Sequence, residues 1–271
     1  MAIGRTNCGA GGSIGGFPQF TYTGDYTLLD DGDKNWRIKF LTSGTLTFEK
    51  NPGTIDVFCV GGGSGGNAVH QSTNTSAGGG GGGYTTTATV AVSELVYEIV
   101  IGAGGAENRS TTTDLSAGGG GLANPGGTSS AFGISALGGN AGTTSIPNII
   151  CGVPGGSGGG GGNSAGGSDG SDGESNSSSY PGGVGQGTTT REFGESTGDL
   201  YSGGGGAGSS TGGKGGDGGG GKGATSGGYA VAGLPNTGGG GGGGFKNTYG
   251  RGAAGGSGIV VIRNHREAAA S

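Results

Sequence analysis

Two serines stand where a hydrolase nucleophile would. Gly62-Gly63-Ser64-Gly65-Gly66 and Gly155-Gly156-Ser157-Gly158-Gly159 both fit Gly-x-Ser-x-Gly. In that pattern a Ser on a sharp turn before a helix is activated by a His. No helical pattern follows either serine, and the chain has only two His, His70 and His265. With 81 Gly in 271 residues such matches arise from composition, and so do the many Gly-x-Gly-x-x-Gly hits. A phosphate loop is excluded because Lys222 is followed by Gly223 instead of Ser or Thr. Gly212 to Gly219 nearly repeats the calcium β-roll nonapeptide, but Gly219 stands where a large apolar residue belongs and the unit is not iterated. Asp30, Asp31 and Asp33 read as a solvated hairpin turn rather than a calcium site. Cys8, Cys59 and Cys151 are widely spaced, with no Cys-x-x-Cys pair, so neither a zinc site nor a disulfide framework is expected. The sequons at Asn74, Asn108 and Asn176 are expected to be idle. No catalytic residue, metal site or cofactor is expected, and the chain reads as a non-enzyme.

Binding chemistry is better represented. Tyr180, Phe193, Tyr201, Tyr229, Phe245 and Tyr249 interrupt glycine-rich stretches. Exposed at loop tips, such rings can stack on sugars while a tyrosine hydroxyl bonds to them. Packed inward, they seal the sides and ends of whatever the glycines build. Each ring taken singly favours packing. As a group they are the candidate recognition surface.

The elements that must position these residues are unusual. A net charge of −5 and a pI near 4.9 oppose nucleic-acid binding, which wants a basic face. No stretch approaches the roughly eighteen apolar residues of a membrane span, and Met1 to Cys8 has no apolar core of signal-peptide length. The expectation is synthesis in the cytoplasm and a final place on a virion or outside the cell. Collagen is rejected, because only 7 Pro are present and the glycine triplet slips in phase.

The apolar residues alternate in short runs, as half-buried strands do. Phe20–Thr23, Asp25–Leu29, Trp36–Leu41, Thr45–Glu49, Ile55–Val60, Tyr84–Val92, Glu94–Ile101 and Ser257–Arg263 are the predicted strands, with a weaker strand pair over Thr128–Leu137. The clusters Asp30–Asn35 and Asn51–Pro52–Gly53 are the turns. No segment has a convincing helical period, and Glu267 to Ala270 is too short to matter. The predicted fold is mainly β with almost no α-helix: a small antiparallel sandwich, jelly-roll-like, whose strands empty into glycine runs.

Those runs can be ordered by main chain alone. A left-handed extended helix with three residues per turn and about 3.1 Å rise has no internal hydrogen bonds. Parallel copies can satisfy one another's N–H and C=O groups, as buried backbone requires. A Cβ pointing between two such helices would push them apart, so inward positions should be Gly and side chains should face outward. Ser64 and Asn67, Ser157 and Asn163, and Lys214 and Asp217 stand at multiples of three, each pair on one side of its helix. Segments 168–179 and 188–197 are the predicted loops.

Ile55 to Gly66, Gly78 to Tyr84, Tyr97 to Gly105 and Gly256 to Arg263 resemble the glycine-rich domain of phage and prophage tail-fibre-type proteins. There is a distant similarity to the extracellular glycine-rich domain of anaplastic lymphoma kinase and a looser one to the fibre-tip adhesins of T-even phages. The resemblance implies a tumour-necrosis-factor-like sandwich with an inserted polyglycine-II bundle and no catalytic residues. The division expected is an attachment arm (1–16), a sandwich (17–137 plus 257–264), a polyglycine insertion (138–256) and a tail (265–271). The function expected is a non-enzymatic fibre part or host-surface adhesin, joined to other virion or fibre proteins through residues 1–16. Its target would be a host glycan or protein, and a homo-trimer is favoured as usual for fibres. The competing readings are a bacterial surface or matrix filament without a receptor, and a disordered linker.

Overall fold

The computed structural model describes residues 2–3, 16–68, 76–108, 121–141, 152–160, 190–245 and 250–266. Eleven strands are described, all paired antiparallel: β1 (Ala2–Ile3), β2 (Phe20–Tyr22), β3 (Tyr26–Gly32), β4 (Asn35–Phe40), β5 (Gly44–Phe48), β6 (Thr54–Val60), β7 (Thr85–Ala91), β8 (Val96–Ile99), β9 (Ser129–Ala131), β10 (Ile134–Ala136) and β11 (Ile259–Asn264). The only helical element among the described residues is one 3₁₀ turn, Glu192–Gly194. A six-stranded sheet runs β1-β3-β4-β11-β6-β7, and a three-stranded sheet β2-β5-β8 faces it, with the β9–β10 hairpin beside them. The β-sandwich predicted from alternation is therefore present, and its last strand in sequence lies at the centre of the larger sheet.

Alternation explains which side chains fill it. On β4, Trp36, Ile38 and Phe40 are buried while Arg37 and Lys39 take the other face. Leu46, Phe48 and Ile99 from the small sheet meet Ile55, Val57, Cys59, Val260 and Ile262 from the large one. Strands β6 and β11 are buried on both faces, and Phe58, Val60, Ile259 and Val261 form a second cluster outside the sandwich with Tyr201 and Phe193. Burial pushes the Cys59 thiol up to about 12, so it should not react while the chain is folded. In a Cys8→Ser/Cys151→Ser variant, a thiol reagent is expected to consume nothing until denaturant is added.

The turn cluster differs from its sequence reading. β3 runs on through Asp31 with a bulge near its end, and the chain reverses at Asp33 and Lys34, both at positive φ. Asp31 is not solvated: Arg37 holds it at 2.9 Å and Arg266 also binds it. Ala2 and Ile3 pair with Leu29 and Leu28, so the start of the predicted arm adds a short edge strand to the chain's own sheet. Residues 4–15 lie outside the described part.

The glycine segments form a lattice of extended helices. The N–H groups of 62, 65 and 68 bond to the carbonyls of 127, 124 and 121. Those of 61, 64 and 67 bond to 84, 81 and 78, and those of 63 and 66 to 256 and 253. Each third residue thus reaches the same neighbour, which is the signature of three residues per turn. The same segment accepts from Gly105, Gly139, Gly241 and Gly244, so 61–68 is surrounded by six chains: 76–84, 102–108, 121–127, 138–140, 238–245 and 250–258. Segment 238–245 has six neighbours in the same way, donating to 61–68, 202–209 and Val231 and accepting from 76–84, 219–224 and 250–258.

Two features depart from the sequence reading. The lattice is not confined to an insertion after residue 138, because 61–68 and 76–84 lie in its interior and 102–108 and 121–127 beside them. These segments lie among predicted strands in sequence but leave the sandwich at the same end as the later glycine runs. Small polar side chains also lie inside it. Ser64 is fully buried, and its Oγ accepts the Gly81 N–H at 2.8 Å. Asn67, 2% exposed, accepts the Ala123 N–H through Oδ1 at 2.9 Å. At these two positions the side chain supplies an acceptor that a neighbouring amide uses, while Ala68, Ala77, Ala207 and Ala224 are buried with a Cβ alone.

Candidate functional site

The outer face of the six-stranded sheet carries a charged cluster. Its floor is made of outward positions on three adjacent strands: Arg37 and Lys39 on β4, Arg263 on β11, and Asp56 on β6. The strand register sets Arg263 opposite both Arg37 and Asp56. A short hairpin closes over them, held by Glu192 N–H to Asp199 O at 3.0 Å and Tyr201 N–H to Thr190 O at 2.9 Å. It brings in Glu192, fully buried, with Arg37 Nη1 2.6 Å from one carboxylate oxygen and Lys39 Nζ 2.7 Å from the other. The Tyr201 hydroxyl donates to Glu192 at 2.7 Å, and Lys39 also reaches Asp199 at 2.8 Å. Arg263 binds Asp56 at 3.0 Å and Glu195, with its guanidinium 4.1 Å from the centre of the Phe193 ring. Burying so many charges is tolerable only because each finds partners.

The ionisation of this cluster follows from its contacts. Burial works against the Asp56 and Asp31 carboxylates, but hydrogen bonds outweigh it, from His265, Thr89 and Arg263 to the first and from Arg37 and Arg266 to the second. Both are held below the usual carboxylate range. The Lys39 hydrogen bond does the same for Asp199. Burial, aided by Glu192, pushes the Tyr201 hydroxyl up. The stability these carboxylates supply is fully present above their unfolded values, roughly pH 4, and is lost as pH falls through the lower folded values. The melting temperature is expected to lose nothing to these groups from neutrality to about pH 4 and to fall below it, and Asp56→Asn should flatten that fall.

Of the aromatic candidates, the structure brings two together here. Phe193, in a left-handed conformation at φ 54°, packs 5.8 Å from Phe58, and Tyr201, 4% exposed, packs 5.4 Å from the same ring. Both anchor the hairpin on β6. Phe245 is buried at the end of its helix, bridged to Ser76. Tyr229 is the exposed one, at 65%. Tyr180 and Tyr249 lie outside the described residues. The charged residues were missed because segment 188–197 reads as a loop. The available signal was charge at outward positions of strands that prove to be central.

The second notable surface is the end of the lattice away from the sandwich. Ala68 bonds to Gly121, Asn108 to Gly252, Ala77 to Gly244 and Ser209 to Ala224, so these residues form one terminal layer. The chain connections 69–75, 109–120 and 246–249 begin and end at this layer, as do the turns at 209–212 and 225–228. Tyr229 follows the last of them.

Catalytic geometry is not found at the serines. Ser64 and Ser157 are buried, and the Ser64 hydroxyl is spent on Gly81. Among the described residues no group of three or more His, Cys, Asp or Glu could hold a metal ion, and no helix is long and apolar enough to cross a membrane. An antiparallel β-sandwich that continues into a lattice of glycine helices defines a glycine-rich domain. The chain belongs to the glycine-rich domain family, whose profile matches residues 41–265, from the end of β4 through the whole lattice to the end of β11. Comparison with curated proteins finds no match.

Proposed function

We propose that the chain is a non-enzymatic structural and adhesive part of a phage tail-fibre-type assembly, with the far end of the glycine lattice as its host-binding tip. One observation carries the reading: the lattice is a side-chain-poor spacer whose connections return together at the end opposite the sandwich. Loops on a rigid scaffold are where recognition concentrates. Exposed Tyr229 stands beside that end, and Tyr249 belongs to one of its connections. In this reading the sandwich is the base, residues 1–16 attach it to other fibre or virion proteins, and a trimer presents several tips at once. The target class is a host-surface glycan or protein.

The test is binding of the purified full chain to whole bacterial cells and to a glycan array. A variant with 69–75, 109–120 and 246–249 replaced by short Gly-Ser links should lose binding while keeping the parent melting temperature. Unchanged binding by that variant, or no binding to any surface by the parent, argues for a filament or spacer without a receptor. Deleting residues 1–16 should abolish incorporation into particles and leave the domain folded.

A further inference from the structure

Lys39 stands in an arrangement that a simple ion pair does not need. Its Nζ lies 2.7 Å from Glu192, 2.8 Å from Asp199 and 2.9 Å from the Tyr201 hydroxyl. Glu192 is fully buried and fixed from three sides, by Arg37, Lys39 and Tyr201. Asp199 is exposed, its side chain at 70%, yet the hairpin backbone holds it against the lysine. The Phe193 and Tyr201 rings of the hairpin pack on Phe58 of β6 beside these charges. We propose that Lys39 and Asp199 become joined by an intramolecular amide bond, with Glu192 as the catalytic carboxyl.

The step balances without a co-reactant. One proton passes from the Lys39 ammonium to Glu192. The freed amine attacks Cγ of Asp199 in its acid form and a C–N bond forms. Glu192 returns the proton to the departing hydroxyl, the C–O bond breaks, and water leaves. Glu192 then takes the second amine proton and releases it to solvent. Holding amine and carboxyl at contact distance supplies the effective concentration that condensation in water otherwise lacks. A carboxyl that moves protons between the partners supplies the general acid and base. After reaction Glu192 keeps Arg37, so its buried charge is not orphaned. Lys39 holds Asp199 mostly ionised, and a carboxylate is a poor electrophile, so bond formation is slow at neutrality and faster in mild acid. The product would staple the hairpin that leads into segment 202–209 onto the centre of the sheet, tying lattice to sandwich. This does not depend on the adhesive reading.

Intact mass of the full chain, incubated at neutral and mildly acidic pH, is the test. The parent should become lighter by one water, with digestion giving a linked peptide that contains Lys39 and Asp199. Lys39→Arg and Asp199→Ala should fold and keep full mass. Asp199→Asn should form the same link with loss of ammonia, without the need for acid. Glu192→Gln should slow formation by about a hundredfold or more, and because this variant can also fail to fold, Asp199→Asn carries the test independently. A folded parent that keeps its full mass at both pH values overturns the proposal, as does a water loss mapped to any other pair.

Discussion

Alanine at position 66 is expected to destabilise the domain by about 3 kcal/mol or more, the upper end of what overpacking costs. A Cβ at Gly66 would lie 2.0 Å from the carbonyl oxygen of Gly242, closer than any real contact. The atom in the way is backbone, so no rotamer change relieves it. Its chain, 238–245, is itself held by six neighbours and cannot step aside without breaking their bonds. Gly241, whose Cβ would meet the Ala253 oxygen at 2.1 Å, should behave alike. The control is Gly227→Ala, where a Cβ meets nothing within 4 Å; it should change stability by less than about 0.5 kcal/mol. Equilibrium denaturation of the three variants against the parent checks this. Equal stabilities would mean the close approaches are not made.

The second large effect belongs to Glu192. Glu192→Ala should cost about 3–5 kcal/mol, because removing one member of a buried pair strands its partners. Lys39 keeps Asp199, and Arg37 keeps Asp31, but both lose the group that reaches between them. The Tyr201 hydroxyl, 2.7 Å from Glu192, loses its acceptor in the same stroke. Pairing Glu192→Ala with Lys39→Met should recover part of the loss, as coupled sites do. Strict additivity of the two, by chemical denaturation, would show that the cluster is not one unit.

The strands were legible because their chemistry is local. Trp36 to Phe40 alternates, and its buried and outward positions fall where alternation puts them. Val57 to Val60 reads as an unbroken apolar run because β6 is covered on both faces, and only Asp56 interrupts the strand's apolar residues. The principle of the lattice was legible too, since so much glycine has few ordered solutions. Its membership was not. Whether 61–68 belongs to a wall or to the centre depends on Gly127, Gly256 and Gly241 arriving beside it from distant parts of the chain. Glycine repeats every third place by chance too often to reveal that register. Ser64 and Asn67 were expected outside, because sequence shows their spacing but not the amides waiting for them. The charged cluster was hidden for a similar reason: Arg37 and Glu192 are 155 residues apart, and no local pattern joins them.

The central claim is that main-chain hydrogen bonds between neighbouring helices make the glycine segments solid, and residue-resolved amide hydrogen exchange tests it most directly. Gly240 to Gly244 and Gly62 to Ala68, whose N–H groups bond to neighbouring helices, should exchange as slowly as β6 and β11. Tyr229, Ala230 and Ala232, whose amides make no hydrogen bond among the described residues, should exchange rapidly within the same fold. Exchange of Gly240 to Gly244 as fast as that of Ala230 and Ala232, while β6 and β11 stay protected, would contradict the lattice and leave a sandwich with loose glycine chains.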